Sequence, residues 1–253
     1  MNALRITAAE TRSELTKLSR LPTYVISTLA FPLGFYLFFG IVTAHGTAAE
    51  RVENATYLLA TFGAFGVMAA SLFGLGVGIA SERGQGWLLV KRASPMPPFV
   101  YIAAKVFTAA IFAIAVVALL DAAAILFGGV RLAPLTLLAL DGASVLGAFP
   151  FCALGCAVGW LAGPNSAAAV VNIVYLPLSF LGGLWLPIAA LPSSIQRIAL
   201  VLPSYHLGQL ALGPLGMARG EAFIHIAVLA LWTAVGIAAA VLAMRADEGR
   251  AYG

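Results

Sequence analysis

The chain has 253 residues and a formal net charge of +4, and 62% of it is hydrophobic while only 9% is charged. Soluble domains carry roughly 25% charged residues, so this composition excludes an ordinary soluble protein. One compact core would not bury this much apolar surface, and a mean hydropathy of +1.00 indicates a protein whose solvent is a lipid bilayer.

The first 22 residues predict an amphipathic helix. Four apolar residues and one threonine recur there at helical spacing and so share one face, namely Leu4, Ala8, Thr11, Leu15 and Leu18. Charged residues, among them Glu10, Glu14 and Lys17, are assigned to the opposite faces. We expect residues 1–22 to lie along the membrane surface, with the charges in water, and a frayed leader is the simpler alternative.

Six long stretches with almost no charge follow, and a membrane crossing needs about 20 apolar residues. The predicted helices are Tyr24–Val42, Ala55–Ala80, Val106–Phe127, Leu135–Leu161, Ala167–Leu186 and Phe223–Met244. The turn Gly163-Pro164-Asn165 separates the fourth from the fifth. The sequence therefore predicts a single all-α membrane domain over residues 1–253, with six transmembrane helices.

Basic residues indicate the orientation of these helices, because cytoplasmic loops are enriched in lysine and arginine. If both termini are cytoplasmic, ten basic residues lie inside: Arg5, Arg12, Lys17, Arg20, Arg83, Lys91, Arg92, Lys105, Arg245 and Arg250. Four lie outside: Arg51, Arg131, Arg197 and Arg219. We expect an integral protein of the cytoplasmic (inner) membrane with both termini cytoplasmic. The basic residues are spread over short loops, so we expect no nucleic-acid partner.

The loop between the second and third predicted helices is longer than a plain connection requires. It covers residues 82–105 and holds five of the chain's 24 charges, interleaved with apolar residues such as Trp87 and Leu88. A short amphipathic helix from about Gln85 to Ala93, ended by Ser94-Pro95, would present these groups to a cytoplasmic partner. A solvated, positively charged loop is the alternative.

Asp121 and Asp141 interrupt the third and fourth predicted helices. A charged side chain at the bilayer centre costs about 2.5–3.5 kcal/mol on insertion scales, so each acid needs an explanation. Each lies about six residues from the external end of its helix, and Arg131 lies in the turn between them. We expect Arg131 to pair with one or both acids. A polar element of a transport pathway and a proton relay are the alternatives.

The fourth predicted helix carries small residues at a regular spacing. Gly155, Gly159 and Gly163 recur every four residues and predict close contact with another helix, whose identity the sequence leaves open. Cys152 and Cys156 share one face of this helix. Two cysteines exclude a disulfide framework, and a metal site would need further ligands that the neighbouring sequence lacks, so no metal is expected.

The segment 187–220 contains four prolines, Pro187, Pro192, Pro203 and Pro214, which exclude one continuous helix. Between the second and third of these, Ile195, Ile198 and Leu202 share one helical face. This pattern favours short broken helices that enter the outer leaflet where protein covers them. A plain extracellular loop is the alternative.

Two blocks of residues, far apart in the chain, carry a family pattern. The first is Glu82-Arg83-Gly84, an apolar stretch, Ser94-Pro95, and then Tyr101 and Lys105 opening a helix. The second begins with Phe180-Leu181-Gly182-Gly183-Leu184-Trp185-Leu186-Pro187 and continues through Leu191-Pro192 to Leu202-Pro203-Ser204-Tyr205. Together with the six-helix plan, these blocks resemble the type 2 ABC exporter permeases over essentially the whole chain.

The resemblance implies a permease subunit of an ATP-driven exporter. Two permease chains would pair, as a homodimer or a heterodimer, and each would dock an ABC ATPase subunit. The chain contains no Gly-Lys dipeptide, so the phosphate-binding P-loop is absent from it and the chain itself is not expected to be an enzyme. ATP and magnesium would be bound by the partner ATPase, and no cofactor is expected in this chain.

The resemblance also implies roles for particular residues. The coupling of the permease to the ATPase is assigned to the loop residues Glu82, Arg83, Gly86, Trp87, Leu88, Arg92, Ser94 and Pro95. Trp87 stands where we would expect a small hydroxyl residue. A re-entrant external gate is assigned to the segment 187–220, with Pro187, Pro192, Pro203 and Tyr205.

The first predicted helix is rich in aromatic residues, including Phe35 and Tyr36. With Asp121 and Asp141 as intramembrane polar groups, these residues are candidates for a pathway that carries hydrophobic or amphiphilic molecules. Contact with lipid explains the aromatic residues equally well. Drug-like molecules, lipids and lipid-linked glycans all remain open as substrates, and the family resemblance favours the first.

A proton-coupled secondary transporter that uses Asp121 and Asp141 is the alternative function, although no convincing inverted repeat supports it. Rhomboid-like proteolysis is disfavoured because Val145 follows Ser144 where that resemblance would require glycine. Haem binding is disfavoured because the histidines fall at or beyond the external ends of the predicted helices.

Overall fold

The computed structural model describes residues 3–93 and 96–251, and every regular element in those ranges is helical. The helices, labelled in chain order, are α1 (Ala3–Ser19), α2 (22–42), α3 (Ala48–Gly84), α4 (Trp87–Ala93), α5 (Pro98–Leu126), α6 (Pro134–Leu161), α7 (Ala167–Leu181), α8 (Ser193–Ala199), α9 (Pro203–Leu212) and α10 (Ala222–Ala251). The all-α prediction is confirmed for the described residues.

Four of these helices, α3, α5, α6 and α10, are long and apolar enough to cross a membrane, and α8 with α9 forms a bent pair that raises the number to as many as five. The apolar part of α2, Ile26–Val42, and α7 are shorter. In α2, wide π-helical turns flank Pro32, which has no N–H to donate. Helices occur in all six predicted stretches, but length and composition alone support four or five crossings.

The bundle has a lower end and an upper end. The lower end carries α1, α4 and the last turns of α10. The upper end carries the connections 43–47, 127–133 and 182–221. The long helices α3, α5, α6 and α10 run between the two ends.

Helix α3 is the centre of the bundle. It starts with a capping box, in which Thr47 and Glu50 satisfy each other's backbone N–H groups, and it continues for 37 residues. The most apolar 18-residue window of α3 is entirely buried inside the chain. Helices α2, α5, α6, α7 and α9 all pack against it. In contrast, only 17% of the corresponding window of α10 is buried, so α10 lies at the periphery.

Glycines on α6 bring this helix into close contact with α3. A Cβ atom at Gly155 would lie 3.0 Å from the carbonyl oxygen of Ser71, and one at Gly159 would lie 2.7 Å from Cβ of Ile79. No larger residue fits at either position without movement of the backbones. The glycine spacing predicted a close helix contact, and the structure identifies α3 as the partner. A Cβ atom at Gly163 would meet only the Ser166 hydroxyl, at 3.5 Å, so Gly163 takes no part in the contact with α3.

Helix α1 is oriented differently from the prediction. Its buried residues are Thr11, Glu14 and Leu18, while Leu4, on the predicted apolar stripe, is 75% exposed. The expectation that Glu14 faces water is therefore wrong. The physical reason is that α1 packs against α5, where the Glu14 carboxylate contacts a buried lysine.

Two predicted boundaries also change. Helix α3 extends to Gly84 and α5 begins at Pro98, so the connection between them covers 85–97, half the length expected. Helix α7 ends at Leu181 and does not reach residue 186. Gly183, with a φ of +74°, reverses the chain after α7 in a conformation that other residues rarely adopt.

Candidate functional site

The lower end of the bundle contains a cluster of acidic and basic side chains from four helices. We call it the lower charge cluster, and its members are Glu10, Glu14, Lys17, Glu82, Lys91, Tyr101 and Lys105. They come from α1, α3, α4 and α5. Three carboxylates face three ammonium groups, so the charges of the cluster balance.

Lys105 is at the centre of this cluster, and its side chain is only 1% exposed. Its Nζ lies 3.2 Å from Oε1 of Glu14 and 3.1 Å from Oε2 of Glu82. Tyr101, one turn earlier on α5, donates its hydroxyl to the same Oε2 at 2.7 Å. A buried ammonium group without partners would cost several kcal/mol, and the two carboxylates compensate for that cost.

The two other lysines form further ion pairs with the acids of the cluster. Lys17 bonds Glu14 at 2.9 Å and also bonds Glu82. Lys91, on α4, forms an ion pair with Glu10, and its Nζ lies 3.7 Å from Oε2 of Glu82. Lys91 therefore ties the short helix α4 to both α1 and α3.

The cluster changes the titration of the α1 residues. Burial raises the pKa of the Glu14 carboxyl, and its hydrogen bond with Glu82 raises that pKa further, which outweighs the opposing effect of Lys105. Burial lowers the pKa of Lys17, but the carboxylates of Glu82 and Glu14 outweigh it and leave this pKa raised. Lys17 therefore stays charged, while Glu14 takes up a proton more readily than an exposed glutamate.

Arg83, next to Glu82, joins three helices. Its guanidinium group donates to the carbonyl oxygens of Trp160 and Ala162, the latter at 2.6 Å, and pairs with Asp247 at 3.2 Å. The carbonyl groups at the end of α6 have no partner within that helix, and Arg83 satisfies two of them. Two of the predicted coupling residues, Glu82 and Arg83, thus point into the bundle and position its helices.

Helix α4 is the part of the predicted coupling site that faces outward. Gly86, with a φ of +75°, makes the left-handed turn that separates α4 from α3. Trp87 and Val90 are 54% and 60% exposed, whereas Leu88 packs inward against the apolar side of the cluster. Large apolar groups that protrude from a short helix are typical of an interaction surface. Of the other predicted residues, Ser94, Pro95 and the side chain of Arg92 lie outside the described residues.

A cavity with a volume of about 760 Å³ opens beside the cluster, between α1, α3 and α4. One wall is charged and includes Glu14 and Lys17. The other wall is apolar and includes Tyr24, Phe73 and Val77. This combination suits a molecule with a polar end and an apolar body.

At the upper end, the predicted prolines separate short helices. Pro187 precedes a single 3-10 turn, Pro192 precedes α8, and Pro203 is the first residue of α9. Helices α8 and α9 meet at an angle of 88°. Tyr205 is buried on α9, where its ring contacts that of His206. The predicted breaks are present, and the angle fits either a broken crossing or a re-entrant loop.

Sequence reasoning missed a histidine pair in the same region. Nδ1 of His206 lies 2.8 Å from Nδ1 of His225, and the two Nε2 atoms contact the carbonyl oxygens of Leu200 and Arg219 at 3.0 and 2.8 Å. The pair joins α9 to α10. No spacing in the sequence identifies it, because the two residues lie on different helices and are paired only by the fold.

The intramembrane acids also meet at the upper end. Asp121 on α5 and Asp141 on α6 are close enough for each carboxyl group to act on the other. Within the described part of the chain, Arg131 forms no ion pair with either acid, so the expected pairing with Arg131 is wrong. Tyr36 is fully buried beside Asp121, whereas Phe35 is half-buried and packs its ring 5.0 Å from that of Trp185. The predicted pathway residues therefore lie in two places: Asp121, Asp141 and Tyr36 in one, and Phe35 beside Trp185 in the other.

Comparison with known proteins agrees with this architecture. Residues 7–215 match the ABC-2 type transporter family. The chain is also 30% identical, over 197 residues, to a Bacillus subtilis (strain 168) protein with the name "Putative transport permease YvfS", and the match covers 78% of this chain and 80% of that protein. The chain is a membrane permease that belongs to the ABC-2 type transporter family.

Proposed function

We propose that the chain is the membrane subunit of an ATP-driven exporter and that a separate ABC ATPase binds to α4. One observation carries this proposal: α4 exposes Trp87 and Val90 while Lys91 ties the same helix to α1 and α3. A partner that binds the exposed face can therefore displace α1 and α3, two of the helices that line the cavity. ATP and magnesium belong to that partner, and this chain supplies the docking surface.

The orientation and assembly are part of the proposal. The lower end is cytoplasmic, as the distribution of basic residues predicts, and both termini lie there in the inner membrane. Helices α2 and α7 complete six crossings with the four long helices. A second permease copy, identical or related, pairs with this chain, and α3 takes no part in that contact because its own chain buries it.

The substrate class follows from the cavity beside the lower charge cluster. Its charged wall and its apolar wall fit a hydrophobic or amphiphilic molecule that enters from the inner leaflet or the cytoplasm. Drug-like molecules, lipids and lipid-linked glycans meet this description. The segment with α8 and α9 is the proposed external gate, because broken helices can be displaced without breaking a continuous hydrogen-bond ladder.

A proton-coupled secondary transporter is the second candidate function. The observation that favours it is the proximity of Asp121 to Asp141, with no ion pair between either acid and a basic side chain in the described residues. This candidate needs no ATPase, so one experiment separates the two.

The test is co-purification of the chain with candidate ABC ATPases, combined with ATPase measurements in lipid nanodiscs. Val90→Glu places a charge on the exposed face of α4 and is expected to reduce association with the ATPase at least tenfold, which is about 1.4 kcal/mol. Val42→Glu is the matched control, because Val42 is 73% exposed at the other end of the bundle. The control should bind the ATPase as the wild type does.

Equal binding by the two variants would contradict the assignment of α4 as the docking surface. No association with any ATPase, together with proton-driven uptake by the purified chain, would favour the second candidate. Glu82→Ala is a poor choice for this test because Glu82 is 5% exposed and its loss disturbs the lower charge cluster itself.

A further inference from the structure

A second cavity opens at the upper end of the bundle, and we call it the upper cavity. Its volume is about 380 Å³, which is within the range of small-molecule sites. Its walls come from the start of α3, the turn after Pro187, the end of α9 and the connection 213–221. Ile188, Leu212 and Met217 give it apolar surface beside the polar groups described next. The upper cavity therefore has the mixed lining that small-molecule sites require.

The connection 213–221 holds Arg219 in a fixed position at this cavity. The backbone N–H of Arg219 donates to Oε1 of Gln209 at 2.6 Å. Nε2 of His225 donates to the carbonyl oxygen of Arg219 at 2.8 Å, since a carbonyl oxygen can only accept. Gln209 and His225 are 5% and 3% exposed, and Gly220, with a φ of +84°, turns the chain directly after Arg219. Two buried polar side chains thus position the backbone of one exposed arginine.

The donors on this wall of the cavity have no acceptor. The guanidinium group of Arg219 forms no ion pair or hydrogen bond in the described part of the chain. Oε1 of Gln209 is bonded to the backbone, whereas its Nε2 donates to no group in the same residues. An amide donor on a nearly buried side chain is costly without an acceptor, so it indicates one that is missing from the cavity. Beside a guanidinium group, an anionic acceptor fits best.

The opposite wall carries acids from the first turns of α3. Glu50 lines the cavity, but its carboxylate is already used in the capping box with Thr47. Glu53 also lines the cavity, and it forms no hydrogen bond or ion pair within the described ranges. The upper cavity therefore has one free carboxylate and one free guanidinium group on separate walls. A simple anion would leave Glu53 unpaired, and a simple cation would leave Arg219 unpaired.

We propose that the upper cavity binds a zwitterionic molecule, whose anionic group is held by Arg219 and Gln209 and whose ammonium group is held by Glu53. A phosphate linked to a primary amine has this chemistry, and it occurs both in the headgroup of a membrane lipid and as a free headgroup. The apolar residues of the cavity can contact the hydrocarbon part of a lipid. The site needs no ATPase and so goes beyond the proposed function.

Binding of three probes to the purified full chain in micelles, measured by calorimetric titration, tests this proposal. The probes are dihexanoyl phosphatidylethanolamine, dihexanoyl phosphatidylglycerol, which has the phosphate without the amine, and free phosphoethanolamine. We expect the ethanolamine lipid to bind about tenfold more tightly than the glycerol lipid, because only the former has a charge for Glu53. In Glu53→Gln, the two lipids should bind alike. A difference that persists in Glu53→Gln would overturn the proposal.

Arg219→Gln should weaken binding of the ethanolamine lipid about tenfold, because it removes the cation that faces the phosphate. Arg197→Gln is the matched control, since Arg197 is also exposed at the upper end but does not line the upper cavity. This control should bind the lipid as the wild type does. All three variants change exposed side chains, so each is expected to fold.

Equal binding of the two lipids by the wild type would overturn the proposal, as would equal effects of Arg219→Gln and Arg197→Gln, or no binding of any probe. If free phosphoethanolamine binds as tightly as the lipid, the site takes a soluble molecule; if it binds much more weakly, the site takes a lipid. Both results support the zwitterion site. The measurement contains no ATPase, so failure of the docking experiment leaves it intact and the two proposals can fail separately.

Discussion

Glu82 and Asp121 are both acids on long helices, and they are 5% and 9% exposed, yet their surroundings differ completely. Glu82 contacts Lys17, Lys105 and the hydroxyl of Tyr101 at the lower end. Asp121, toward the upper end, has another acid, Asp141, as the charged group that acts on it. The same chemical group thus has countercharges from other helices beside it in one region and a second acid beside it in the other. Burial alone does not determine the charge of an acid; its neighbours do.

The largest expected effect comes from removing the central cation of the lower charge cluster. Lys105→Met leaves Glu14 and Glu82 close together without the ammonium group between them, and breaking a buried ion pair in this way costs about 3–5 kcal/mol. We expect a correspondingly large loss of unfolding free energy, measured by denaturant unfolding in mixed micelles. Lys17→Met is the control, because the Lys17 side chain is 37% exposed and its loss should cost less. Equal losses would show that Lys105 has no central role.

A comparison of two carboxyl-to-amide changes gives the next effect in size. Glu82→Gln removes the charge that Lys17 and Lys105 share, and we expect a loss of about 3 kcal/mol of unfolding free energy. Asp121→Asn removes one of two neighbouring acids and leaves no basic side chain without its partner, so we expect it to cost less than about 1 kcal/mol. Both values are measurable in the same unfolding experiment. A larger cost for Asp121→Asn than for Glu82→Gln would contradict the contrast between the two ends.

The pH dependence of Glu14 is the smallest expected effect. Burial raises the pKa of Glu14 in the folded chain, so its protonated form is favoured by folding. The stability that this group contributes is complete below its unfolded pKa and is lost as the pH rises through the raised folded pKa. The Glu14→Gln variant should therefore gain stability relative to the wild type as the pH rises above the usual pKa range of a glutamate. A difference that stays constant, or that changes in the opposite direction, would show that Glu14 is ionised throughout.

Much of the fold could be predicted because it depends on local patterns. Long apolar stretches predict helices, the prolines at 187, 192 and 203 predict breaks, and the glycines at 155 and 159 predict a close helix contact. The position of α4 within the loop could also be predicted, since Gly86 precedes it and the apolar residues follow.

The rest of the site depends on pairings between distant residues, which composition and spacing do not reveal. Arg83 bonds carbonyl oxygens almost 80 residues away, and Glu14 contacts Lys105 on another helix. One signal for Glu14 was present: it lies three residues after Thr11 and four before Leu18, so it shares their buried face. A charged residue on an otherwise apolar stripe predicts a buried partner, and Glu14 could have been recognised in this way.

Helix α3 has a mechanical consequence. Its 37 residues, at 1.5 Å per residue, make a rod about 55 Å long without a proline inside it. Its lower end bears Glu82 and Arg83, and its upper end begins at the Thr47 cap beside the first connection. Because neighbouring helices pack against α3 along its length, α3 resists bending, and a displacement of one end moves the other end with it. A stiff central helix can thus transmit a movement from one membrane surface to the opposite surface.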